Sequence, residues 1–326
     1  MPFFDSKHGL ERLVVSPISK ASAKQRGGRA GRCSPGKCYR LYTEKFYAEK
    51  MQVATAPEIL RTNLTSFVLT LKALGIDDFL SFDLLTPPSK DSLCHALENL
   101  FALNAIDDNT TMTELGSQMC EFPIGDPRLS KVLLTSIDMK CSEEILIIAS
   151  VMQVRDIFRR PRSVHQRTEF DAVLGEVVER SGDHSTYVNL FMDRSDLLGN
   201  SSFVNILAIR RAKEIRSQLK RFLRNYGNLV EYDGAESRDT IIRKCMSSGY
   251  FLNVAKLSND GNYYTIKGNQ KIVPSTASSV FSRFGQHSSH IIFGETFDGA
   301  QGNLEVRHIS SINSVWLREL CPHYWV

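Results

Sequence analysis

Hydrophobic positions change their spacing twice along this chain, and each change marks a different kind of structure. At the start, Leu13-Val14-Val15 followed by Ser16-Pro17 predicts a short buried strand ending in a turn. Residues Cys38–Tyr42 alternate in the manner of a second strand, and the Gly/Arg-rich stretch between the two predicts a loop. Helical spacing then takes over. Leu60, Leu64, Phe67, Val68, Leu71 and Leu74 predict a helix over Glu58–Leu74, which Gly75 stops. Another helix starts near Asp91, with Leu93, Ala96, Leu97, Leu100 and Phe101 on one side, and Thr113–Phe122 follows, ended by Pro123.

Two helices leading into short extended pieces predict a small winged-helix unit. Asp126-Pro127 is a strong helix start, with Asp as the cap and Pro in the first turn, and Leu129 to Ile137 continues that helix. Ser142 opens the next, and a long helix runs from about Phe203 to Leu223. Ile206, Ile209, Ala212, Leu219 and Phe222 line its apolar side, and Arg210, Lys213, Arg216, Lys220 and Arg224 its basic side. The whole middle stretch reads as helical. Beyond Tyr226 the texture changes again. Gly249–Leu257, Tyr263–Ile266, Lys271–Val273 and His290–Phe293 are short runs between Asn/Asp/Gly/Ser turns, which predicts a small antiparallel barrel or sandwich.

Composition narrows the class. A chain of 326 residues with 42% hydrophobic content can bury two to four cores. No apolar run reaches the length that spans a bilayer, and the first residues lack the pattern of a secretory signal. No membrane association is expected. Seven cysteines, scattered and without a CxxC pair, point to a reduced intracellular compartment, and no second ligand pair makes Cys33 and Cys38 a metal site. The net charge of +4 conceals an asymmetry: residues 1–50 carry eleven Lys/Arg against four Asp/Glu. That end would attract a polyanion such as RNA or a nucleoside triphosphate, or simply form a solvated basic face.

The candidate chemistry lies in that basic end. Gln25-Arg26-Gly27-Gly28-Arg29-Ala30-Gly31-Arg32 sets three arginines at spacing three, separated by small residues, so that their guanidinium groups can converge. A planar guanidinium holds phosphate oxygens in a bidentate way, and positive charge at a transferring phosphoryl group lowers its barrier. The other reading of such a run is a flexible RNA-binding tail. Its position between two apparent strands, inside a well-patterned chain, favours the first.

QRGGRAGR matches the QRxGRAGR signature that closes the second RecA-like domain of the DEAH-box RNA helicases. PGKCYRLYT, LKALGIDDFLSFDLLTPP, CSEEILIIASVMQV, GDHSTYVNLF, RRAKEIRSQL and SVWLRELCPHYWV also resemble that family, in family order, from about residue 10 to 325. The spliceosome-associated branch is the nearest. The resemblance implies a multidomain α+β chain: the tail of a RecA-like α/β domain over 1–54, a winged helix over 55–122, a helical ratchet bundle over 123–228 and an OB-fold barrel over 229–326. It implies that Gln25 positions the attacking water or meets the γ-phosphate, that Arg29 and Arg32 act as arginine fingers, and that Gly28 lets the backbone approach. ATP and Mg2+ are then the cofactors of the parent enzyme. Single-stranded RNA, spliceosomal components and a G-patch protein are the implied partners, and the nucleus the implied location.

Arg155, Arg159, Arg160 and Arg162, with Arg167, are the candidate RNA-binding or partner patch, set against solvent-facing charge. Gly182-Asp183-His184 reads as a buried structural turn, and Glu143-Glu144 as charge favoured by a helix N-terminus. The chain has neither a GxxxxGK[ST] phosphate loop nor a DEAH box, so it is expected not to hydrolyse ATP alone. Met1 falls inside the expected hairpin, which predicts an incomplete gene model, a truncated transcript or a fragment. In the last region the family's His-Pro-Ser is Val273-Pro274-Ser275, and its Thr and Tyr-Met-Arg are replaced by Gly299 and Asn303-Leu304-Glu305. Glu305 would repel an RNA phosphate. Trp316 and Pro322-His323-Tyr324 are expected to close the fold. The alternative to an enzyme portion is a non-catalytic module that binds RNA or a helicase cofactor.

Overall fold

The computed structural model describes residues 1–5, 9–79, 82–154, 156–159, 161, 163–194, 197, 202–276, 278, 288–299 and 302–325. It opens with an antiparallel hairpin, β1 (Pro2–Asp5) against β2 (Leu10–Leu13). The expected strand at 13–15 therefore lies earlier, where Leu10 is buried, whereas Leu13 is half exposed and Val15, beyond the strand, is 92% exposed. Nor is the Gly/Arg-rich stretch a loop. It forms α1 (Lys20–Gly27), capped by the Ser19 hydroxyl, which accepts from the Ser22 amide, and a 3-10 turn over Gly28–Gly31 continues it. Cys38–Tyr42 forms no strand, because its alternating side chains have no neighbouring strand to pair with among the described residues. Helix α2 (Glu44–Glu49) ends the segment.

The predicted helix over Glu58–Leu74 is broken into a 3-10 turn at Glu58–Leu60 and α3 (Thr65–Ala73). Asn63 Oδ1 accepts from both the amide (2.9 Å) and the hydroxyl (2.6 Å) of Thr65, so local bonds reset the helix start. Gly75, at φ +78°, stops α3 as expected. Then come α4 (Lys90–Ala102), a bridge between Ile106 and Met112, and α5 (Glu114–Cys120).

Asp126 caps α6 (Pro127–Asp138), which leads to α7 (Ser142–Met152). All eleven residues of α7 are buried, which makes it the axis of the bundle. Against it pack α6, α9 (Asp183–Met192) and α10 (Ile206–Leu223), while α8 (Val164–Gly175) shares a buried cluster with Ile147 and Val151 and α11 (Arg238–Tyr250) packs on α6 and α9. The last helix was not expected, and Gly249, assigned to a strand by pattern, lies inside it. There a Cβ would strike the Arg128 carbonyl and Val132, so glycine permits the close packing of α11 on α6.

Strands β3 (Val254–Leu257), β4 (Tyr263–Thr265), β5 (Lys271–Pro274), β6 (His290–Asp298) and β7 (Leu304–Ile312) follow. They pair in the order β6-β3-β4-β5-β7, and β7 returns to β6, giving a closed five-stranded barrel. Ala255, Tyr263, Ile272, Ile291, Phe293 and Ile309 fill it. The N-terminal hairpin joins the same sheet, with Leu13 beside Phe297 in parallel. After α12 (Ser314–Leu320), His323 Nε2 donates to the Ala102 carbonyl at 2.8 Å and Tyr324 meets Phe251 edge-on. The C-terminus thus ties the barrel end back to α4, as anticipated.

Candidate functional site

Gln25, Gly28, Arg29 and Arg32 lie on α1 and its 3-10 extension, all exposed. Gln25 and Arg29 are four residues apart and Arg29 and Arg32 three, so a continuous right-handed turn stacks them on one side. Gly28 sits at φ −66°, ψ −10°, which carries the helix into the tighter turn. Gly36 is required here: a Cβ on it would collide with the Ala30 carbonyl, which the returning chain touches. The turn is anchored at its base by Lys20 N to Gln52 O (2.8 Å) and Ala21 N to Val53 O (3.0 Å). Lys20 and Arg40 lie over the Tyr47 ring at 5.6 and 5.1 Å. Among the described residues no carboxylate pairs with Arg29 or Arg32, and no acidic residue occurs between Lys20 and Arg32. This donor set fits the oxygens of a triphosphate edge. It does not fit a magnesium ion, which needs oxygen ligands.

The second candidate group is only partly described. Arg155, Arg160 and Arg162 lie outside the described residues. Arg159 is exposed, with its amide donating to Phe203 O at 2.6 Å beside the Phe158–Val204 bridge. Arg167 is exposed in the second turn of α8. The basic side of α10 divides in two. Arg210, Lys213, Arg221 and Arg224 face solvent, whereas Arg216 (2.7 Å) and Lys220 grip the Glu143 carboxylate. Burial works against that carboxylate's charge, but Lys220 and Arg216 outweigh it and hold the group below its usual range. Glu143 is therefore more than a charge at a helix N-terminus. Glu144 is fully buried, accepts from Tyr232 N at 3.0 Å, and is pushed up by burial.

Gly182-Asp183-His184 is a buried structural junction, as the pattern suggested. Asp183 accepts from Ile309 N (3.0 Å) and from Ser278 Oγ (2.9 Å), tying α9 to the barrel. Gly182 bridges Ser310, and a Cβ on it would collide with that serine. His184 Nδ1 meets Ser310 Oγ at 2.7 Å, and Tyr187 meets His308 Nδ1 at 2.9 Å. Burial, with the neighbouring His308, pushes His184 down to about 3.

One feature escaped the pattern: an open cavity of about 360 Å³ lined by residues of the hairpin, α3, the start of α6 and β6. Asp126 faces it and binds Arg128 in bidentate fashion (2.9 and 2.9 Å), and the Tyr250 hydroxyl donates to the same carboxylate at 3.1 Å. Burial opposes the Asp126 charge, yet Arg128 keeps the carboxyl below its usual range. The Asp-Pro signal located the cap. It carried no sign of the partner from α11.

Comparison with known proteins places these elements in a family. A family model described as helicase associated domain (HA2), winged-helix, matches residues 96–124, and one described as HA2, ratchet-like, matches residues 126–187. The chain is also 40% identical over 329 residues to the "Pre-mRNA-splicing factor ATP-dependent RNA helicase prp22" of Schizosaccharomyces pombe. That alignment covers 99% of the chain and 27% of the relative, so the chain spans just over a quarter of the protein it matches.

Proposed function

This chain belongs to the DEAH-box RNA helicases and carries their C-terminal region, and from that premise we propose that it serves an ATP-dependent enzyme that unwinds or remodels RNA in nuclear pre-mRNA splicing. The observation that carries the reading is the likeness to a splicing helicase over 99% of the chain. On this reading residues 1–54 end a RecA-like domain, 55–122 are a winged helix, 123–228 a ratchet bundle and 229–326 an OB-fold. The closed five-stranded barrel supports the last assignment.

Magnesium-bound ATP supplies the phosphoanhydride whose cleavage drives remodelling. Arg29 and Arg32 would spread positive charge over the γ-phosphoryl oxygens, and Gln25 would orient the attacking water. Their exposure on one turn without an acidic partner supports that role. The chain alone is proposed not to hydrolyse ATP, because the phosphate loop and DEAH box are absent from its sequence. Arg159 and the free side of α10 would track single-stranded RNA, and a G-patch protein or spliceosomal components would be protein partners.

Two measurements test this. In a full-length helicase carrying this region, Arg29→Ala or Arg32→Ala should cut ATP turnover about 10³-fold while sparing RNA binding. Unchanged turnover in both variants would sink the finger assignment. The isolated chain should bind a single-stranded oligonucleotide with an affinity that falls steeply with salt. No binding at low salt would remove the tracking role.

A further inference from the structure

Ser163 stands where the arginine patch meets α8. It is exposed and caps the helix, its hydroxyl accepting from Gln166 N at 3.4 Å and donating to Gln166 Oε1 at 3.0 Å. The residues before it are Arg159-Arg160-Pro161-Arg162, so arginines precede the serine at one, three and four positions. Arginine three positions before a serine is the feature read by arginine-directed serine kinases. One turn further on, Arg167 N donates to Ser163 O at 3.2 Å, which sets the Arg167 side chain in the i+4 relation to Ser163.

We propose that Ser163 is the phosphate acceptor of an arginine-directed serine kinase, and that the phosphate it receives is captured by Arg167 and the first amides of α8. In the reaction the Ser163 hydroxyl oxygen attacks the γ-phosphorus of ATP. The Oγ–P bond forms, the bond from that phosphorus to the bridging oxygen breaks, ADP leaves, and the hydroxyl proton passes to the kinase's base. The product carries close to two negative charges at a helix start, where the macrodipole favours them. An acid N-terminal to a base at i, i+4 is the favourable order. The first turn of α8 has no acidic side chain to repel the phosphate. Asp156, the nearest acid before the serine, faces Arg307 at 3.6 Å. The modification therefore cancels about two of the positive charges that these arginines carry and weakens the attraction of this stretch for RNA. This last consequence rests on the proposed RNA role. The phosphorylation itself does not.

The test treats the full chain with ATP, Mg2+ and calcium/calmodulin-dependent protein kinase II, which reads an arginine three positions before its serine. The expected result is phosphate on Ser163 by peptide mass spectrometry, absent from Ser163→Ala and strongly reduced in Arg160→Ala. Labelling of other serines with none on Ser163 would overturn the proposal. Phosphorus NMR reads capture without RNA: the second phosphate pKa should lie below its free value of about 6 and move back toward it in Arg167→Ala. An unshifted phosphate would refute capture. In a third measurement the phosphorylated chain should bind oligouridylate roughly three- to tenfold more weakly, reversed by phosphatase. Equal binding by both forms would refute the charge switch. Failure of both forms to bind would count against the RNA role, and the mass and NMR readouts would still decide the site.

Discussion

The turn bearing Gln25, Arg29 and Arg32 and the junction of α9 with β7 are both rich in polar side chains, yet they are held in opposite ways. Between residues 14 and 54 only Ser19, Ala23 and Met51 are buried, while Tyr39 is 83% exposed and Leu41 fully so. At the junction Asp183, His184, Thr186 and Ser310 are all buried, and Asp183 and His184 each bond directly across to the barrel. The first region takes its shape from local rules: a serine cap, a small-residue 3-10 turn and a glycine at a close approach. The second takes its shape from contacts between residues 95 to 126 positions apart in sequence. A turn that is locally formed and weakly anchored suits groups that must meet a ligand across a cleft, whereas a junction with buried polar bonds suits a rigid frame.

The largest effect expected from this contrast is in hydrogen exchange. Amides of α1 and the following turn should exchange about 10³-fold or more faster than those of α7, whose residues are all buried. Similar protection in the two would break the comparison at its root. A smaller effect is expected from Asp183→Ala, which leaves the Ile309 amide and Ser278 hydroxyl buried without their acceptor. Urea denaturation should show a loss of about 2–4 kcal/mol. A loss under 1 kcal/mol would mean that the junction is not the frame argued above.

Next in size is a pH effect confined to the junction. His184 is held at about 3 by burial and by His308, against about 6.5 in an unfolded chain. Its Nε2 is buried with no partner among the described residues, so a proton there would be an uncompensated charge. Between those values the unfolded chain binds more protons than the folded one, so stability rises with pH across the window. The contribution is complete above about 6.5 and is lost as pH falls toward 3, amounting to about 2 kcal/mol between pH 7 and 5. The unfolding free energy of His184→Gln should therefore depend less steeply on pH over that range than that of the parent chain. Equal slopes would move the titration elsewhere.

The same contrast explains what could be read in the amino-acid pattern. Asp126-Pro127 and Gly75 were legible because a cap and a left-handed stop are chemistry of a few adjacent residues. The barrel was legible as short alternating runs, but its closure through β6 and β7 and its junction with the N-terminal hairpin were not, since pairing partners leave no local mark. Helix α11 was missed although Ser237 and Asp239 announce its start, because Ser247, Ser248 and Gly249 on its buried side lack an apolar signature. The arginine run carries the proposed phosphate chemistry, and its glycines disguised a helix as a loop. Cys38–Tyr42 shows the reverse error: alternation gives a capacity for strand, and only a neighbour makes it one. For the proposed RNA patch, sequence spacing named the arginines, and Arg155, Arg160 and Arg162 lie outside the described residues.

The smallest expected effect is the sharpest test of the division. Arg29→Ala and Arg32→Ala remove exposed groups that no carboxylate engages among the described residues, so each should change the chain's unfolding free energy by no more than about 0.5 kcal/mol. The same substitutions are expected to be severe for ATP turnover in a full-length enzyme. A residue with almost no role in stability and a large role in turnover has its interaction energy in the complex, not in the fold. If either substitution instead destabilised the chain by 2 kcal/mol or more, the turn would owe its shape to those guanidinium groups, and any loss of turnover could not be assigned to contact with phosphate.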